Sequence, residues 1–139
     1  MDSAPSIKKQ EDMSGRRLRV LVVDDSPYVL RAARSLLETM PLIGEVVSAS
    51  SGRAALELTT PGAFDFVLLD LAMDGLNGLE VARELRRRPA SPRIIMMSLY
   101  DEPEFGAAAV AAGADVLIHT PSLGVQLEPL LDRLFARAA

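Results

Sequence analysis

From Leu18 onward, short apolar runs alternate with segments of helical spacing. Leu18 to Val23 is almost continuously apolar, rich in valine, and ends in Asp24-Asp25. A run of this kind, closed by polar residues, reads as a strand buried on both faces. Ser26-Pro27 then gives a helix-start signal, an N-cap serine before a proline in the first turn. Leu30, Ala33, Leu37 and Met40 fall on one face of the helix that follows, and Pro41 stops it. The alternation repeats with a strand over Glu45 to Ala49, a helix from Gly52 to about Leu58, and a break at Pro61-Gly62. A third strand runs from Phe64 to Leu69 and closes on Asp70. Its helix spans about Gly78 to Arg88, with Val81, Ala82 and Leu85 inward. Arg93 to Met97 is a fourth strand ending at Ser98, and an alanine-rich helix follows over about Glu104 to Ala112, capped by Gly113. Val116 to Ile118 is the fifth strand. The last helix carries Leu127, Leu130, Leu131 and Leu134 on one face. Pro129 predicts that it begins near Leu127 or bends there.

Strands alternating with helices imply βαβ units: an α/β fold with a parallel sheet covered on both faces. Right-handed crossovers narrow the choice to doubly wound folds. In such sheets ligands bind beyond the carboxyl ends of the strands. That rule singles out Asp24 and Asp25, Asp70, Ser98 and Thr120, which end strands one, three, four and five.

Composition excludes several alternatives. The chain has 139 residues, enough for one core. Hydrophobic residues make up 49% and charged residues 24%, the balance of a globular protein. The net charge of −4 argues against direct nucleic-acid binding. With no cysteine and the single histidine His119, disulfides, thiolate nucleophiles and two-His metal sites are out of reach. Residues 1–16 read as a disordered tail with a basic cluster (Lys8, Lys9, Arg16, Arg17), and residues 17–139 as the single domain. No secretory signal or membrane span is visible, so a cytoplasmic location is expected.

Taken singly, the strand-end residues have plain structural readings. Asp24-Asp25 suits helix capping, Asp70 and Asp74 suit turns, and Ser98 suits a packed strand end. Together they gain chemistry. Three carboxylates in one crevice repel each other and raise their own pKa values unless a cation intervenes. An all-oxygen set suits Mg²⁺. A central aspartate can attack phosphorus as a carboxylate nucleophile, and Ser98 can donate a hydrogen bond to a phosphoryl oxygen.

The segments Leu21-Val22-Val23-Asp24-Asp25-Ser26, Phe66-Val67-Leu68-Leu69-Asp70-Leu71-Ala72-Met73-Asp74-Gly75, Asn77-Gly78-Leu79-Glu80, Ile94-Ile95-Met96-Met97-Ser98 and Ala112-Gly113-Ala114-Asp115 resemble receiver domains of two-component response regulators. The resemblance covers about Leu18 to Leu134. It implies a flavodoxin-like (βα)5 fold with strand order 2-1-3-4-5. It implies Asp70 as phosphoacceptor from a histidine kinase or phosphotransfer protein, and Asp24 and Asp25 as the Mg²⁺-binding pair. Asp25 is then the direct ligand, with Asp70 and the carbonyl of Ala72 completing the site and Ser98 as the switch hydroxyl. Output would pass through helix four, strand five and helix five to a downstream protein or a second copy.

Three positions depart from that pattern. Thr120 stands where the family has a lysine, and Lys8 and Lys9 are the only lysines in the chain. A hydroxyl carries no charge to offset carboxylates or phosphate. Leu99 replaces a small residue beside the acceptor, and Leu117 replaces the aromatic rotamer switch. The expectation is a non-enzymatic signalling domain, stand-alone or cut from a longer regulator, with weakened phosphorylation coupling. The alternative is a pseudo-receiver that acts as an interaction module without phosphorylation. An aspartate-based phosphatase fits poorly, because Ala72 occupies the position of its second acid.

Overall fold

A computed structural model describes residues 16–135. The expected tail lies outside the described residues except for Arg16, which is not loose: its guanidinium pairs with both carboxylate oxygens of Asp65.

Five parallel strands, β1 (Leu18–Val23), β2 (Ile43–Ala49), β3 (Phe66–Asp70), β4 (Arg93–Ser98) and β5 (Val116–His119), form one sheet in the order β2-β1-β3-β4-β5. The helices are α1 (Pro27–Glu38), α2 (Gly52–Leu58), α3 (Gly78–Arg87), α4 (Pro103–Ala111) and α5 (Leu123–Leu134), the last preceded by a 3-10 turn at Thr120–Ser122. Among the described residues no helix is long and apolar enough to cross a membrane.

Alternation along each strand feeds two separate cores. Val20, Val22, Leu68, Ile95, Met97 and Ile118 pack with Ala33 and Leu37 of α1 and with Leu127, Leu130 and Leu131 of α5. Leu21, Val23, Val67, Leu69, Ile94 and Met96 pack on the other face with Ala55 of α2, Val81, Ala82 and Leu85 of α3 and Ala109 of α4. Each fully buried aliphatic side chain contributes about 1.5–3 kcal/mol, so the central strands β1, β3 and β4 anchor the fold.

Local chemistry fixes the entries to the helices. Ser26 caps α1 through Val29 N, and Ser51 caps α2 through Ala54 N. Asn77 and Glu80 form a reciprocal capping box on α3. Two aspartates pin strand starts to their neighbours: Asp65 Oδ2 accepts from Arg19 N at 2.7 Å, and Asp115 Oδ2 accepts from Ile94 N at 2.8 Å.

Three boundaries differ from the sequence expectation. β2 starts at Ile43, because Gly44 sits inside an irregularity where Leu18 pairs with Ile43 and Val20 with Val46. β3 starts at Phe66, because Asp65 turns to accept hydrogen bonds from Arg19 and Arg16. The last helix begins at Leu123 rather than near Leu127, and Pro129 lies within it. Pro129 is on the exposed face, so the Val125 carbonyl that loses its helical donor is on the wet side, where the Val125 side chain is 79% exposed.

Candidate functional site

The chain runs from β1 outward to β2 and returns to β3 on the other side of β1. The strand order therefore reverses between β1 and β3, the place where an open α/β sheet leaves a crevice at its carboxyl edge. Asp24 and Asp25 leave β1 at that edge, and Asp70 ends β3 beside them. Carboxylate oxygens of Asp24, Asp25 and Asp70 all lie within 4.8 Å of one another.

Each of the three is aimed by a backbone N–H. Ser26 N donates to Asp24 Oδ1 at 2.9 Å, Asp74 N to Asp25 Oδ2 at 3.1 Å, and Ala72 N to Asp70 Oδ1 at 3.3 Å. Asp24 is buried, Asp70 half-buried and Asp25 exposed, a gradient from the floor of the crevice to its mouth. Gly78 brings α3 against β3: a Cβ there would stand 2.2 Å from the Asp70 carbonyl oxygen, so only glycine lets the helix approach.

Electrostatics follow from that packing. Burial, then the charge of Asp24, push the Asp70 carboxyl from 3.8 up to about 7. Burial also raises Asp24, against the opposing bonds from Ser26 and Asp70. The two carboxyls face each other, so the titration of each depends on the other, and both are pushed upward.

The crevice is a cavity of about 360 Å³ lined by Asp24, Asp25, Ser26, Val29, Asp70, Ala72, Leu99, Tyr100 and Thr120. Thr120, Leu99 and Ala72 thus share one space with the carboxylates. None of these lining residues is cationic. Ser98 is outside this set. It is buried, and its Oγ accepts from Tyr100 N at 2.9 Å. His119 lies apart from the carboxylates as well, with Nε2 3.1 Å from the Leu99 carbonyl.

Two contributors escaped the sequence reading. Tyr100 lines the carboxylate cavity and stacks on Phe105 with ring centroids 5.1 Å apart. Asp74, expected as a turn residue, serves through its N–H by orienting Asp25. The position of Tyr100 two residues past the fourth strand end was the available signal for the first; a backbone donor leaves none.

The donor set fits a hard divalent ion. Mg²⁺ holds oxygens at about 2.1 Å, so ligands on opposite sides stand about 4 Å apart, close to the spread of these carboxylate oxygens. The raised Asp70 carboxyl marks uncompensated negative charge of the kind a divalent ion relieves.

Comparison with known proteins agrees with this geometry. Residues 20–131 match the response regulator receiver domain family. The chain belongs to that family, a signalling class of two-component systems with a flavodoxin-like fold. It is 39% identical over 106 residues to protein-glutamate methylesterase/protein-glutamine glutaminase 5 of Myxococcus xanthus, covering 76% of this chain and 30% of that protein. It is 37% identical over 97 residues to the nitrate/nitrite response regulator NarP of Escherichia coli, covering 70% of this chain and 45% of NarP. The chain spans less than half the length of these curated relatives. Among solved structures it resembles the signal receiver domain of the response regulator NarL from Mycobacterium tuberculosis, with 30% identity and a TM-score of 0.79 over 88% of this chain and 99% of that one. It also resembles the receiver domain of the histidine kinase CKI1 from Arabidopsis thaliana complexed with Mg²⁺, with 28% identity and a TM-score of 0.74 over 84% of this chain and 91% of that one.

Proposed function

We propose that this domain accepts a phosphoryl group on Asp70 from the phosphohistidine of a histidine kinase or phosphotransfer protein and signals through α4, β5 and α5. The observation that carries this reading is the convergence of Asp24, Asp25 and Asp70 at the sheet's reversal point, within one open cavity. Asp24, Asp25, Asp70 and the carbonyl of Ala72 are the residues that would hold Mg²⁺. That ion supplies positive charge to offset the phosphoryl oxygens.

In the transfer, an Asp70 carboxylate oxygen forms a bond to phosphorus as the phosphorus–nitrogen bond breaks. The released electron pair stays on the donor imidazole, which takes up a proton, and Asp70 becomes a mixed anhydride. The Ser98 hydroxyl accepts from Tyr100 N but keeps its own proton to donate to a phosphoryl oxygen. Thr120 offers a hydroxyl where the family has a charge, Leu99 lines the acceptor cavity in place of a small residue, and Leu117 offers no ring to swing. Phosphorylation is therefore weakly coupled to shape. The domain catalyses at most its own phosphorylation and dephosphorylation. It acts in the cytoplasm on a protein partner or a second copy of itself, without touching nucleic acid.

Purified protein treated with acetyl phosphate and Mg²⁺ tests this by intact mass. One phosphoryl group is expected on the native chain and none on Asp70→Asn; an unmodified native chain would contradict the proposal. The absence of a cationic side chain among the residues lining the cavity favours a second reading, a pseudo-receiver acting without phosphorylation. An Asp70→Asn variant with full activity in cells would select it.

A further inference from the structure

We propose that His119 is a positioning residue for the acceptor cavity: its imidazole laces the loop bearing Leu99 and Tyr100 to the turn bearing Thr120, and so restrains entry to Asp70. This rests on Asp70 being the phosphoacceptor. β4 and β5 end side by side, with Ser98 in register with His119. The residues that follow, Leu99 and Tyr100 on one strand and Thr120 on the other, are all walls of the carboxylate cavity. His119 is the hinge point between strand and turn, since the 3-10 turn starts at Thr120.

The bond itself has a defined sense. Leu99 offers a carbonyl, which only accepts, so His119 Nε2 carries the proton and donates across 3.1 Å. The loop is fastened on either side of this point. Tyr100 N donates to Ser98 Oγ at 2.9 Å, and the Tyr100 ring stacks on Phe105 at the start of α4. Leu99 lacks such support from its side chain, which is 72% exposed. Its place in the cavity wall therefore depends on its backbone, and the imidazole holds that backbone. Thr120 cannot span the cavity with a long charged side chain, so beyond the last β4–β5 pair the His119 bond to Leu99 is a side-chain link between the two walls.

The test follows Asp70 phosphorylation by acetyl phosphate at saturating Mg²⁺, using intact mass, in the native chain, His119→Ala, His119→Asn and His119→Gln. Glutamine places an N–H donor near the position of Nε2; alanine and asparagine do not. One backbone hydrogen bond corresponds to about a two- to tenfold change. The alanine and asparagine variants are expected to react faster by that factor, the glutamine variant to return to the native rate, and Mg²⁺ affinity to stay unchanged in all. Native rates in every variant, or equal acceleration in the glutamine variant, would overturn the proposal. Amide hydrogen exchange at Tyr100 supplies a readout that needs no phosphorylation. Exchange should quicken in the alanine and asparagine variants and recover in the glutamine variant; no change overturns the tether. If the native chain takes no phosphoryl group, the phosphoacceptor reading fails, and the exchange result still decides the tether.

Discussion

Asp70→Asn is expected to stabilise the metal-free protein, and to do so more at alkaline than at acidic pH. The Asp70 carboxyl is pushed from 3.8 to about 7 by burial and by Asp24. Below the unfolded value both states hold the proton and no penalty exists. Between 3.8 and about 7 the unfolded chain releases the proton while the folded chain keeps it, so stability falls as pH rises. At about 1.4 kcal/mol per pH unit the full penalty is about 4 kcal/mol. Asp70 is half-buried, and solvent screening reduces this to about 1–2 kcal/mol. Asparagine keeps the acceptor for Ala72 N and supplies a donor to Asp24, so it removes the charge without orphaning either partner. For a domain of this size the gain corresponds to about 4–8 °C in Tm. Thermal unfolding in EDTA at pH 5 and pH 8 measures it. The native chain should lose stability between the two pH values, and the variant should lose less. Adding Mg²⁺ at 100 times its Kd should return about 2.7 kcal/mol to the native chain and much less to the variant. A variant less stable than the native chain at pH 8 in EDTA, or a difference that does not depend on pH, would refute the electrostatic reasoning.

Other substitutions test separate parts of the account. Thr120→Lys restores a charge beside the carboxylates; it should lower the Asp70 pKa and enlarge phosphorylation-linked chemical-shift changes in α4 and β5, and unchanged shifts would count against the missing-charge argument. Gly78→Ala drives a Cβ against the Asp70 carbonyl oxygen and should cost about 1–3 kcal/mol in urea unfolding, with Mg²⁺ affinity falling alongside. Ala90 adopts φ 53°, a left-handed conformation. Ala90→Gly should therefore stabilise by about 0.5 kcal/mol, the left-handed strain being partly offset by the entropy of the unfolded glycine. Asn77→Ala removes the side-chain acceptor for Glu80 N while leaving the residue 77 N–H on Glu80 Oε1, and should cost about 1 kcal/mol, measured by the same unfolding curves.

The parts of the fold legible in the sequence are those set by local pattern. Nearly continuous apolar runs gave β1 and β3 because both faces of those strands are buried, and Ser26-Pro27 marked the start of α1 because its capping needs no distant partner. Of the two expectations for α5, a start near Leu127 is excluded by its start at Leu123; Pro129 is accommodated inside the helix on its exposed face, where the carbonyl left without a donor reaches water. β2 was read from Glu45 because the apolar pattern starts there; the two residues before it join the strand through an irregularity in its pairing with β1, which local pattern does not encode. At the site, Asp24, Asp25 and Asp70 were legible from strand ends and topology. The backbone donors that aim them, from Ser26, Asp74 and Ala72, carry no side-chain signature. The roles of Tyr100 and of the His119 bond to Leu99 depend on two loops meeting in space, which residue spacing does not encode.

The claim on which the rest depends is that Asp24, Asp25 and Asp70 act together as one divalent-ion site. A Mg²⁺ titration followed by backbone amide shifts measures this directly. The account predicts saturable shifts centred on Asp24 to Ser26 and Asp70 to Asp74, abolished by Asp25→Asn; shifts scattered over the surface, or an unchanged titration in that variant, would contradict it.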